Sequence, residues 1–303
     1  MGCFWTDTVG CYETCPLDPT EADLKGVWTQ LSGGPPARNQ ASAVSINGQM
    51  YLFGGVQSHS FNDTWVYEPI GDKWTQLLPP TSPSARSQAG SAAINNKMYI
   101  FGGADSSGNC LSELWVYDPA ENKWSQLTSC PLAVDSMACV TINNKLYIYG
   151  GWDGSAEHNS LWIYDPSSDG WSQGTSGPTS SSQTAVTINS KLYLFQSSDD
   201  LTTWCFDPLK NDWAQLAPMP TTVQKWSSMS CEVNSKMYVY GGPSTVTTGA
   251  DKDLWCYNPA KDSWSVVAEG PVSSGDYAGC VIDGAWYLFG GDGLEANVLQ
   301  KIT

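Results

Sequence analysis

Basic residues are scarce in this chain. Fourteen Lys and Arg stand against 30 Asp and Glu, for a formal charge of −16. Nucleic-acid binding needs a cationic footprint, so that balance excludes it. A polybasic anchor on an anionic membrane is excluded on the same ground. Long apolar runs are missing too, with nothing near the roughly 18–20 residues of a membrane helix. The first 24 residues have neither the basic nor the apolar region of a signal peptide, which favours a cytoplasmic chain, a secreted mature chain being the alternative. Histidine occurs only at His59 and His158, and the ten cysteines include no CxxC pair, so no metal and no cofactor is expected. Helical periodicity is absent as well.

Aromatic residues, by contrast, are plentiful: 12% of the chain, including 15 Trp. Most fall into a repeat. QMYLFGG (49–55) returns as KMYIFGG (97–103), KLYIYGG (145–151), KLYLFQS (191–197), KMYVYGG (236–242) and AWYLFGG (285–291). The GG pair, or the QS in its place, begins at 54, 102, 150, 196, 241 and 290, so six units follow one another directly. Each unit has four short runs rich in β-branched and aromatic residues, bounded by Asn, Gly, Asp and Pro. Asn-rich two-residue links such as Asn95-Asn96 suit tight hairpin turns. The unit is therefore a four-stranded antiparallel meander, with strands a to d from the inside outward. Such a sheet cannot bury both its faces alone, but six arranged radially bury one another. The last unit stops after its third run, VLQKIT (298–303), while a spare KGVWTQL (25–31) matches the fourth. The N-terminal segment thus completes the last blade. This predicts an all-β, six-bladed β-propeller over residues 25–303, with 25–34 supplying the outer strand of blade 6, preceded by an acidic, Cys-containing segment over 1–24.

A double Gly after four apolar residues, followed by Tyr and then Trp, resembles the kelch repeat. Gly102-Gly103, Tyr117 and Trp124 show it in one unit, and Gly241-Gly242, Tyr257 and Trp264 in another. Blade 4 departs, with Gln196-Ser197 and Phe206 in the Gly and Tyr places, and blade 6 lacks the Tyr. The resemblance implies a binding role on the face that carries the d–a and b–c loops. No BTB-like domain accompanies the repeats, so a ubiquitin-ligase adaptor is not expected. Kelch proteins that steer glucosinolate breakdown carry E-x3-D-x3-H, which neither His59 nor His158 shows. Bacterial sialic-acid mutarotases are also similar in architecture, but their catalytic pair does not map onto particular positions here.

Subtracting the repeat leaves the candidates for function. The chain's two arginines, Arg38 and Arg86, each stand 16 residues before a glycine pair, and Lys225 holds the same place in blade 5. Together they suggest a cationic channel mouth suited to a carboxylate, sulfate or phosphate. Gln40 and Gln88, with Ser136, should line that mouth. Trp152, Trp226 and Tyr277 add apolar contact nearby. The leading expectation is a monomeric binding module for an anionic small molecule or an acidic peptide or protein. The alternative is a free-standing isomerase, cyclase or lyase working by proton transfer at the same mouth, with His59, His158, Asp135 and Asp276 as its acids and bases. Neither exposed loop histidines nor a polar rim with internal ion pairs would require any such role. Cys139, Cys205, Cys231, Cys256 and Cys280 read as small core residues. The redox state of Cys3, Cys11, Cys15, Cys110 and Cys130 is open. Two modification patterns complete the inventory: MGCFWT at the N-terminus, for acylation of Gly2 or Cys3, and the sequon Asn62-Asp63-Thr64.

Overall fold

Paired residues with positive φ turn the chain from the first to the second strand of every blade. Asn47 and Gly48 lie at φ 51° and 73°, Asn95 and Asn96 at 50° and 59°, Asp283 and Gly284 at 49° and 71°. Two consecutive left-handed residues match the twist of a hairpin, and Asn, Asp and Gly tolerate them best. The computed structural model describes residues 23–178, 182–197, 201–221, 225, 227–242, 252–271, 274–292 and 297–303.

Six four-stranded antiparallel sheets result. In blade 1 they are Ser42–Ile46, Gln49–Phe53, Thr64–Glu68 and Lys73–Leu77. The innermost strands of the other blades are Gly90–Ile94, Ala138–Ile142, Gln183–Ile188, Met229–Val233 and Tyr277–Ile282. These six pack side by side around one axis. Trp28–Gln30 pairs antiparallel with Leu299–Ile302 as the outer strand of blade 6, so the first described strand closes the circle. The anchoring begins ahead of residue 25: Leu24 is buried in the core between blades 5 and 6, and Asp23 pairs with Lys236 of blade 5. Among the described residues no helix is long and apolar enough to cross a membrane.

The recurring Tyr and Trp now have a physical role. Within a blade the two rings pack together, Tyr67 on Trp74 and Tyr117 on Trp124, each with centroids 5.1 Å apart. The same Trp reaches the preceding blade, where Trp124 meets Phe53 at 5.0 Å and Trp264 meets Phe195 at 5.3 Å. Aromatic pairs add about 0.5–1.5 kcal/mol beyond area burial, so each Trp works in two interfaces. In blade 6 Ile302 aligns with Trp28, in the Tyr place, while Trp28 still packs on Tyr240 of blade 5 at 4.5 Å.

Each c–d turn also clasps the blade before it. Asp72, at φ 44°, accepts the Ser32 backbone N–H at 3.1 Å, the Ser32 hydroxyl at 2.8 Å and the Tyr67 hydroxyl at 2.8 Å. Asp169 does the same for Thr128 and Tyr164, and Asp262 for Ala217 and Tyr257. Burial pushes the Asp72 carboxyl up, but the hydrogen bonds from Ser32 and Tyr67 outweigh it and hold the group below its ordinary range. Since Ser32 follows the strand that closes blade 6, this clasp seals the propeller's seam.

Candidate functional site at the channel mouth

Two positions on the way into each innermost strand meet different fates. The first lies 16 residues before the glycine pair, and here the side chains are sealed inside. Arg38 is fully buried. Its Nη1 donates to Asp63 Oδ1 at 2.5 Å and to the Gly54 carbonyl at 2.9 Å, its Nη2 to Asp63 Oδ2 at 2.9 Å, and its Nε to the Pro36 carbonyl at 3.0 Å. The guanidinium carbon sits 4.0 Å above the Phe61 ring. Arg86 repeats the arrangement in blade 2, with Glu113 at 2.6 Å and the Gly102 carbonyl at 3.2 Å. Lys225 is buried as well, its Nζ donating to the Asp253 carbonyl at 3.4 Å. A planar fork suits this work: it ties the carbonyl of the glycine pair to a carboxylate just before strand c. The expected cationic mouth is therefore corrected. Arg38, Arg86 and Lys225 are struts within their own blades and present no charge to a ligand.

Two residues further along, 14 before each pair, the chain reaches the mouth itself. Gln40, Gln88, Ser136, Ser182, Ser227 and Asp276 surround a cavity of about 490 Å³ on the axis. Five of the six, all but Ser182, adopt φ between 55° and 58°, in the left-handed region that non-glycine residues seldom occupy. The kink lets their main chains form a ring. Gln40 N–H donates to the Asp276 carbonyl at 2.9 Å, Gln88 to Gln40 at 3.0 Å, Ser136 to Gln88 at 3.1 Å, and Asp276 to Ser227 at 3.0 Å. Side chains bridge at blade 4: Gln183 Nε2 donates to the Ser136 carbonyl at 3.3 Å, and Ser227 N–H to Ser182 Oγ at 3.5 Å. With the main chain occupied, the cavity's chemistry falls to side chains. Met137, Met229 and Tyr277 supply apolar wall, and Tyr277 stacks on Tyr240 at 29°.

Asp276 is the one carboxyl lining this cavity among the described residues, and no Lys, Arg or His lines it. Burial pushes its carboxyl up, and Asp292 adds repulsion; hydrogen bonds from Ser227 and Gln40 offset this only in part. Asp63 shows the opposite balance. Burial raises its carboxyl, but hydrogen bonds from Arg38 and Trp65 overcome that and hold it low.

Of the other residues singled out from sequence, Gln40, Gln88 and Tyr277 line the cavity with Asp276. His59, His158 and Asp135 do not, so three of the four expected acids and bases lie elsewhere. His59 is exposed, its ring 4.5 Å from Phe61, and His158 Nε2 lies 2.8 Å from Asp153 Oδ2. Asp135 is nearly buried and accepts from the Cys110 thiol at 3.3 Å, while its main chain pairs with Trp152. Trp152 is 41% exposed beside the cavity lining, and Trp226 lies outside the described residues. Sequence reasoning missed Ser182, Gln183, Ser227 and Ser228, although counting 14 back from each pair finds Ser182 and Ser227. All seven described cysteines are free thiols, while Cys3, Cys11 and Cys15 lie outside the described residues. Among the described residues no cluster of three or more His, Cys, Asp or Glu could hold a metal ion.

Comparison with known proteins agrees with the architecture. The N-acetylneuraminate epimerases of Escherichia coli (strain K12) and Shigella sonnei (strain Ss046) are each 38% identical to it over 71 residues, 20% of this chain and 18% of theirs. The similarity thus spans about a fifth of the length of these curated relatives. The family described as the KLHDC2/KLHL20/DRC7 Kelch-repeats domain matches residues 16–130 and 78–233, and the Kelch motif matches 230–271. With six blades, a glycine pair in five of them and family matches over more than half its length, the chain belongs to the kelch-repeat family.

Proposed function

We propose that this propeller binds a small polar molecule in the cavity at its channel mouth, on the face that carries the d–a and b–c loops. One observation carries the reading. Most of the rim's main-chain groups are bonded to one another, and two amides, three hydroxyls and one carboxyl line a common space. A concave site of a few hundred Å³, with a few convergent polar groups and some apolar wall, is the usual form of a small-molecule site. Screening neutral sugars, polyols, amines and sugar acids by thermal stabilisation tests it, on wild type, Gln88→Leu and Trp152→Ala. A ligand at 100 times its Kd adds about 2.7 kcal/mol of stability. The expected result is a shift that Gln88→Leu abolishes and Trp152→Ala, which lies outside the cavity lining, preserves. A shift lost only in Trp152→Ala moves the site out to the loop surface.

An enzymatic reading rests on Asp276. A carboxyl held above its ordinary range beside a ligand cavity is suited to take up and return a proton. The partial similarity to proteins named as epimerases points the same way. Turnover that Asp276→Asn abolishes while binding persists distinguishes this reading from a pure binding module.

A further inference from the structure

We infer that the ligand is a small hydroxylated amine whose ammonium group is held against the Asp276 carboxylate. The inference rests on the cavity being a ligand site, as proposed above, and adds the charge of what it takes.

Carboxylates at the blade mouths divide into two kinds. Asp63 and Glu113 each face a buried arginine of their own blade. Blade 6 has serine where those arginines stand: Ser274 Oγ donates to the Asp292 carbonyl at 2.7 Å. Its two mouth carboxylates are left with neutral partners. Asp276 accepts from Gln40 Nε2 at 3.2 Å and from Ser227, while Asp292 Oδ1 accepts from Asn39 Nδ2 at 2.6 Å. Among the described residues neither forms an ion pair, and no Lys, Arg or His lines the cavity. Among the described residues Asp276 faces Gln40 from blade 1, Ser227 from blade 5 and Asp292 from its own blade, so the charge these bring to bear on it is negative. A cation entering the cavity relieves that repulsion, and an anion worsens it. The rest of the wall suits hydroxyl groups. Gln183 Oε1 and Ser228 Oγ, on residues of blades 4 and 5 that line the cavity, are buried without a partner. A modest rotation toward the cavity would let ligand hydroxyls satisfy them.

Three sugars of one ring size separate the outcomes: glucosamine, glucose and glucuronate, titrated calorimetrically at pH 6.5 into wild type and Asp276→Asn. The inference expects glucosamine to bind wild type about tenfold or more tighter than glucose, the scale of one charged hydrogen bond, and glucuronate not to bind. Asp276→Asn should bring glucosamine and glucose within about twofold of each other. A Gln88→Leu control that weakens every binder locates them in the cavity. Equal binding of glucose and glucosamine overturns the ammonium inference and leaves the cavity reading standing. Preference for glucuronate overturns the inference and points to a cation supplied from outside the described lining. Binding of none of the three counts against the small-molecule reading itself.

Discussion

Blade 1 and blade 6 bring the same stretch of chain to the channel mouth and use it for opposite ends. In blade 1 the position 16 before the glycine pair is Arg38, closed over by Asp63, Gly54, Pro36 and Phe61. Blade 6 has Ser274 there, and its carboxyl stands two residues on, at Asp276, facing the cavity. One blade uses a charge to hold itself together; the other holds itself with a hydroxyl and leaves its charge to the cavity. The shared geometry is structural, and the difference between the blades is where function can enter.

Breaking the strut should have the largest effect. Arg38→Ala leaves the partly buried Asp63 with Trp65, a backbone hydrogen bond and the solvent edge to compensate it. Removal of one partner from a fully buried pair, about 3–5 kcal/mol, sets the upper end of the expected loss. Denaturant unfolding should show that loss. Ser274→Ala removes a neutral hydrogen bond and should cost about 0.5–1.5 kcal/mol by the same measurement. A Ser274 variant as damaging as the Arg38 variant would mean that the two mouths are equally braced and the contrast is false.

Acid titration sharpens the comparison, because the two carboxyls carry opposite signs. Asp63 titrates lower in the folded state than in the unfolded one. Its contribution is therefore complete above the unfolded value and is lost as pH falls toward the folded one. Asp276 titrates higher when folded. Its burial costs stability once pH rises through the unfolded value near 3.8, the cost being complete above the folded value. Asp276→Asn should therefore raise stability at pH 7, and the gain should vanish below pH 3.8. Unfolding midpoints of wild type and variant across pH 3–8 would show the two curves converging in acid. Parallel curves would mean that the Asp276 carboxyl is as well compensated as that of Asp63.

The blades were legible because their determinants are local and repeated. Gly102-Gly103, the Asn95-Asn96 turn, Tyr117 and Trp124 each state a backbone or packing need at a fixed spacing, repeated in most of the six blades. Closure by Trp28–Gln30 was legible because blade 6 lacks a fourth run. The site was legible only to within two residues. Charge drew attention to Arg38 and Arg86, yet whether a side chain faces the channel or the blade interior depends on the left-handed kink at Gln40 and Gln88. A glutamine with positive φ looks like any other in sequence, so the kink has no signature in residue type. The burial that turns Arg38 into a strut depends on Asp63 and Phe61, 25 and 23 residues further along. Such loop contacts are not periodic and give sequence reading nothing to count.

The hydrogen-bonded rim has a consequence for how such a protein can change. Because the loop of main-chain bonds holds Gln40, Gln88, Ser136, Ser227 and Asp276 in place, it asks little of the side chains it displays. Each of these five positions behaves as a socket whose backbone is held by main-chain bonds, whereas at blade 4 the Ser182 side chain itself does part of the holding. Five such sockets on one frame form a combinatorial plate, and a new ligand preference can be written one blade at a time while buried residues two positions upstream, such as Arg38 and Arg86, stay untouched.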